Sequence, residues 1–133
     1  MEWYLKALKN YAGFSGRASR KEYWMFFLFH ALFIVAMAFS SSFVQETIGL
    51  RIGAVFLAIY LLGTMIPSLA VTVRRLHDIN RSGWSILLRF IPLVGSIILL
   101  IYLVTEGDTR DNQYGPDPQL DASMYDRIDE IGD

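Results

Sequence analysis

The densest run of chemically capable side chains is Arg74-Arg75-Leu76-His77-Asp78-Ile79-Asn80-Arg81-Ser82-Gly83-Trp84, with long apolar runs on both sides. A second polar segment, Phe14 to Trp24, contributes Arg17, Arg20, Lys21 and Glu22. Guanidinium forks suit phosphate and carboxylate oxygens. Arg17, Arg20, Arg74, Arg75, His77, Asp78 and Arg81 are therefore the candidates for holding a lipid headgroup or another anionic ligand. The plainer alternative is internal pairing, with Arg17, Arg20, Arg74 or Arg75 holding Asp78 or Glu22. His77 and Asp78 have the types of a general base and acid, but no nucleophile or metal set accompanies them. G-x-S-x-G, H-E-x-x-H, Walker and G-x-G-x-x-G patterns do not occur. Two histidines and no cysteine give no metal site, and exclude disulfides and thiolate chemistry. No catalytic residue and no cofactor are assigned, and the expected role is non-enzymatic. Aromatics interleave with the basic residues at apolar boundaries, where they serve as membrane anchors and not as a nucleic-acid platform.

The elements that must position these residues follow from the apolar pattern. The chain has 133 residues, 53% hydrophobic and 19% charged, with net charge −1. Its apolar residues fall into three blocks, about 23–44, 52–73 and 84–104, each near the roughly 20 residues that cross a bilayer as helix. Residues 1–13 read as an amphipathic helix, which either lies in the membrane interface or packs on the chain's own spans. Ser19 and Glu22 form an S-x-x-E capping box, which starts the first long helix near Arg20. Arg17, Arg20 and Lys21 followed by an apolar run also have the outline of a secretory leader, with Ala36-Met37-Ala38 as its cleavage site. The further apolar blocks favour a retained span.

Gly49 and Gly53 give a G-x-x-x-G at the entrance to the second span. Pro67 lies inside that span, where it is tolerated if neighbours satisfy the freed carbonyl and is expected to kink the helix. The third block carries Arg89, Pro92 and Gly95. It is either one kinked span or a re-entrant hairpin turning at Pro92–Gly95, and the single span is the preferred form. The intramembrane polar groups are His30 and Arg89. His30 is expected to make a helix-to-helix hydrogen bond, and Arg89 to snorkel; the alternative pairs them in a polar cavity. Residues 1–118 thus form a single all-α membrane domain, and 119–133 an acidic tail.

Basic residues concentrate before the first span and between the second and third, with only Arg51 between the first and second. Cytoplasmic loops keep lysine and arginine, so the N-terminus and the 74–83 segment are expected on the cytoplasmic side. Expected partners are membrane lipid and a partner membrane protein or a second copy of the chain. The runner-up role is a subunit of an oligomeric transporter or channel, since three spans enclose no pathway alone.

Phe14-Ser15-Gly16-Arg17 with Arg20 and Tyr23-Trp24, Arg75-Leu76-His77-Asp78 with Ser82-Gly83-Trp84, Ile91-Pro92 with Gly95, and Gly107 with Asn112, Tyr114-Gly115 and Pro116-Asp117-Pro118 resemble the bacterial domain-of-unknown-function family 805. The resemblance covers about residues 10–118. It implies a multi-pass protein of the bacterial inner (plasma) membrane and no particular activity. Thr105-Glu106-Gly107-Asp108-Thr109 departs from the Pro-Gly-Thr that often precedes Gly-x-Asn in that family.

Overall fold

A computed structural model describes residues 2–48 and 51–120, together with Met124 and Arg127. Gly49 and most of the acidic tail lie outside the described residues. Among those described the fold is helical, with one isolated bridge between Asn112 and Gly115. Its elements are α1 (Glu2–Lys9), α2 (Arg20–Ile48), α3 (Ile52–Asp78), a 3₁₀ arm (Gly83–Phe90) and α4 (Val94–Val104).

α2 and α3 are long and apolar enough to cross a membrane. The Ser19 hydroxyl accepts from the Glu22 N–H at 3.2 Å, which starts α2 as the capping box requires. The two helices run antiparallel, joined by Arg74–Glu22 at one end and His30–Tyr60 further along. Near the other end a Cβ on Gly53 would stand 2.5 Å from the Ser41 Cα. This glycine lets the backbones meet, an approach that any side chain would block. At about 1.5 Å per residue, the 29 residues of α2 reach about 43 Å, against a hydrocarbon core of about 30 Å. The charged ends therefore stand clear of the core.

α1 packs on the two spans. Tyr4 stacks on Phe26 with ring centroids 5.3 Å apart, and Ala7 is fully buried. The helix is shorter than the periodicity of residues 1–13 suggested, because the chain turns after Lys9. That turn brings the Tyr11 hydroxyl to the Gly63 carbonyl, to which it donates. Gly63 lies four residues before Pro67, and a proline has no N–H for the carbonyl at that position. Tyr11 thus supplies the hydrogen bond that Pro67 withholds. Beside it, Thr64, Ser68 and Thr72 each donate to the carbonyl four residues back.

Two sequence expectations are corrected. Arg74 to Asp78 are not loop: α3 continues through them and stops at Ile79. Asn80 takes a left-handed φ of 57°, with Arg81 N bonded to Leu76 O and Asn80 N to His77 O. This is a Schellman stop with asparagine in the place that glycine usually fills.

The third apolar block is a hairpin and not a single span. Its 3₁₀ arm of eight residues and its α4 of eleven each extend about 16 Å, half of what a crossing needs. They meet at a γ-turn, where Val94 N bonds to Pro92 O and Leu93 has φ 60° and ψ −70°. A Cβ on Gly95 would sit 1.9 Å from Leu88 O, so glycine there allows the arms to close. The far end of α4 returns to the end of α3, where Arg81 lies over the Tyr102 ring at 5.1 Å. Trp84, Phe90 and Leu93 are largely exposed along the hairpin and at its tip.

A returning hairpin predicts that the two chain ends share one side of the membrane. Reporters active only in the cytoplasm and reporters active only outside it, fused in turn to the N- and C-termini, should give the same side for both ends. Opposite sides would exclude the hairpin.

Candidate functional site

The polar segments converge on the last turn of α3. Asp78 is 1% exposed and sits between two arginines. Arg17 Nε donates to Oδ1 at 3.0 Å, and Arg75 Nη1 donates to Oδ2. The rest of each guanidinium binds main chain. Arg17 reaches the carbonyls of Arg110 at 2.8 Å, Gly115 at 3.2 Å, Asp78 and Asp108. Arg75 donates to Leu103 O at 3.2 Å and to Thr105 O. The segment after α4 is thereby strapped over the end of α3.

Gly107 is the closest point of this strap, where a Cβ would fall 2.0 Å from Asp78 Oδ2. Asp108 N donates to Asp78 O at 2.8 Å, and the Asn112 amide donates to His77 O at 2.9 Å. Tyr114 lies flat on the His77 ring, with centroids 3.8 Å apart and planes within 2°. His77 Nδ1 is 3.0 Å from Gly16 O, and Gly16 takes the positive φ of 83° that presents this carbonyl.

A second ion pair stands beside the first. Arg74 Nη1 donates to Glu22 Oε1 at 2.9 Å, and Lys6 Nζ lies 3.4 Å from Oε2. Arg74 Nε and Nη2 are buried with no hydrogen-bond partner among the described residues. Burial pushes the Asp78 carboxyl up and the Arg75 guanidinium down, while their mutual attraction acts the other way on both. Burial also holds His77 below the usual imidazole range, opposed by its bond to Gly16. These groups follow Val73, beyond the apolar part of α3.

The sequence candidates therefore separate. Arg17, Arg74, Arg75 and Asp78 are buried and engaged with one another, with Glu22 and with the strap, in the pattern of the internal-pairing alternative. Arg20 is exposed, donating to Val104 O at 3.3 Å, with Glu106 3.9 Å away. Arg81 is exposed at the start of the hairpin, and His77 lines a cleft beside it. His30 bonds Tyr60 at 2.9 Å, and Tyr60 bonds Tyr4 at 2.9 Å, so three helices share one chain of hydrogen bonds. Arg89 lies exposed in the 3₁₀ arm and makes no pair with His30. No group of three metal-ligating residues occurs among the described residues.

Sequence reasoning missed the strap. Its ligands to Arg17 and Arg75 are backbone carbonyls, which no residue type announces. Gly107, Asn112 and Tyr114 were the readable signals.

The family described as protein of unknown function (DUF805) matches residues 11–116. "Inner membrane protein YhaI" of Escherichia coli (strain K12) is 46% identical over 123 residues, covering 92% of this chain and all of that protein. "Inner membrane protein YhaH" of the same strain is 43% identical over 124 residues, covering 91% of this chain and 99% of that protein. No solved structure matches.

Two predictions follow from the buried pairs. Asp78→Asn removes the charge between two buried guanidiniums and should cost about 3–5 kcal/mol. Thermal unfolding in detergent should show it, and Gly107→Val, which changes no charge, should also lower the midpoint by displacing the strap. Wild-type stability of Asp78→Asn would refute the clamp. The second concerns pH. With His77 below its unfolded value in the folded state, the unfolded chain gains a proton that the folded one refuses. Stability should then fall as pH drops below about 6.5, towards the folded value. His77→Phe keeps the stack on Tyr114 and should flatten that part of the profile, though at lower overall stability.

Proposed function

The chain belongs to the DUF805 family, with named inner-membrane proteins among its relatives, and from that premise we propose that it is a non-enzymatic membrane component that binds anionic lipid headgroups through exposed cations on its cytoplasmic face. One observation carries this reading. Arg17, Arg74 and Arg75 are buried in a knot of ion pairs with Asp78 and Glu22 and of hydrogen bonds to the strap, while Lys9, Arg20, Lys21, Arg81 and Arg110 remain exposed around it. Several cations are thus exposed around the buried ion pairs. Each lysine or arginine near an anionic surface contributes about 1 kcal/mol, so several together select anionic over zwitterionic headgroups. The positive-inside rule puts this face in the cytoplasm.

The transport alternative drew on His30 and Arg89. His30 is engaged by Tyr60, and Arg89 lies apart from it in the 3₁₀ arm, so neither supports that reading.

The test uses the full-length protein in nanodiscs of phosphatidylcholine with a minor fraction of phosphatidylglycerol. The annular preference for phosphatidylglycerol should fall roughly tenfold or more when Lys9, Arg20, Lys21 and Arg81 are all changed to glutamine. It should also weaken with added salt. An unchanged preference in a folded variant would sink the reading. Recovery of a defined protein that depends on the same four cations would replace lipid with protein as the partner.

A further inference from the structure

Besides the two Arg74 nitrogens, the knot leaves a ring nitrogen of His77 unused. The His77 side chain belongs to a residue only 9% exposed. Its Nδ1 faces the Gly16 carbonyl, and a carbonyl can only accept. In the neutral ring Nδ1 therefore carries the proton, and Nε2 is left as an acceptor. Among the described residues no hydrogen bond reaches Nε2; the ring's one hydrogen bond is the one to Gly16.

Nε2 faces Gly83. A Cβ there would stand 3.5 Å from Nε2 and 2.7 Å from Val73 Cγ1, so the bare glycine keeps a way open to the imidazole. The opening is a cleft of about 440 Å³ walled by Phe14, Leu69, Val73, His77, Trp84 and Tyr114. That size lies within the few hundred to about 1,000 Å³ typical of small-molecule sites.

The cleft continues a membrane-facing surface. Leu62, Ile66, Leu69, Val73 and His77 recur at intervals of four, three, four and four, which puts them on one face of α3. Leu62, Ile66 and Leu69 are exposed within the span. An acyl chain lying on that stripe ends beneath the imidazole. Trp84, 78% exposed beside the cleft, has the amphipathic ring found at headgroup level.

We propose that the cleft between α3, the start of the hairpin and Tyr114 holds one membrane lipid, its acyl chain along Leu69 and Val73 and its headgroup donating an O–H or N–H to His77 Nε2. Of the exposed cations Arg81 adjoins this site, which does not depend on their charge. The site recognises a donor, which an ammonium or a glycerol hydroxyl provides and a trimethylammonium does not.

The experiment offers the full-length protein in detergent one lipid at a time and counts retained lipid by native mass spectrometry. The probes are phosphatidylethanolamine, phosphatidylglycerol and phosphatidylcholine. One molecule per chain of phosphatidylethanolamine or phosphatidylglycerol should be retained, with phosphatidylcholine roughly tenfold weaker for want of the hydrogen bond. Preference between the first two identifies the donor as ammonium or hydroxyl. Leu69→Trp fills the apolar wall without touching the knot and should cut retention of either by roughly tenfold, at an unchanged unfolding midpoint. Gly83→Ala, which narrows the way to Nε2, should act in the same direction and serves if the tryptophan variant does not fold. The glutamine variant of the exposed cations should still retain one lipid. Equal retention of phosphatidylcholine, or retention unmoved by both cleft variants, overturns the site.

Discussion

Asp78 is the constraint on which this end of the helix bundle depends. A carboxylate 1% exposed must be held by charge and hydrogen bonds, since burial of an uncompensated ion costs several kcal/mol. Arg17 comes from the segment before the first span and Arg75 from the helix of Asp78 itself. Their remaining donors reach the segment after the hairpin. One anion thus ties together three parts of the chain that the apolar pattern alone would leave separate. The clamp also accounts for Gly107, because only a residue without a side chain can pass so close to the carboxylate.

The apolar elements are positioned by hydrogen bonds of the same complementary kind. Pro67 removes an N–H inside a span, and Tyr11 from the N-terminal segment occupies the carbonyl left over. His30, Tyr60 and Tyr4 join α2, α3 and α1. In lipid there is little hydrophobic drive between helices, so packing and polar links of this type decide the arrangement. α1 is consequently part of the bundle, with Tyr4 and Ala7 in its core.

What was legible in the sequence was what hydropathy and local signals encode. The two spans, the Ser19 start of α2, the helix-to-helix role of His30 and the turn at Pro92–Gly95 all rest on patterns within one segment. The extension of α3 through Asp78 was not legible by hydropathy, because Arg74 and Arg75 end the apolar run without ending the helix. The stop is at Asn80, whose left-handed φ is a backbone property that asparagine tolerates but does not announce. The hairpin was one of two readings and the less favoured, since an apolar block of spanning length looks the same whether it continues or returns. The choice was written in Gly95, which lets the arms touch, and in carbonyl contacts to Arg75 from residues 103 and 105. For a related reason the ligand candidates could not be divided by sequence alone into buried and exposed ones. A sequence shows which arginines exist, but not which of them a distant backbone has already claimed.

The contacts of Arg17 also set an order of assembly. It meets Asp78 61 positions along the chain, Arg110 93 positions along and Gly115 98 positions along. Loop closure over such separations requires both ends to exist and to be held on the same side of the membrane. The spans carry their own backbone hydrogen bonds and can insert as independent helices. The clamp cannot close until the hairpin has returned and residue 115 has been made. Insertion therefore precedes the knot, and the knot then fixes which way the hairpin goes. A span crossing at the third block would carry Leu103, Thr105 and Asp108 to the opposite face, leaving Arg17 and Arg75 buried without the carbonyls that satisfy them. The cost of those unmade bonds, several at about 1–3 kcal/mol each, is what makes the returning form of an apolar block of spanning length the stable one.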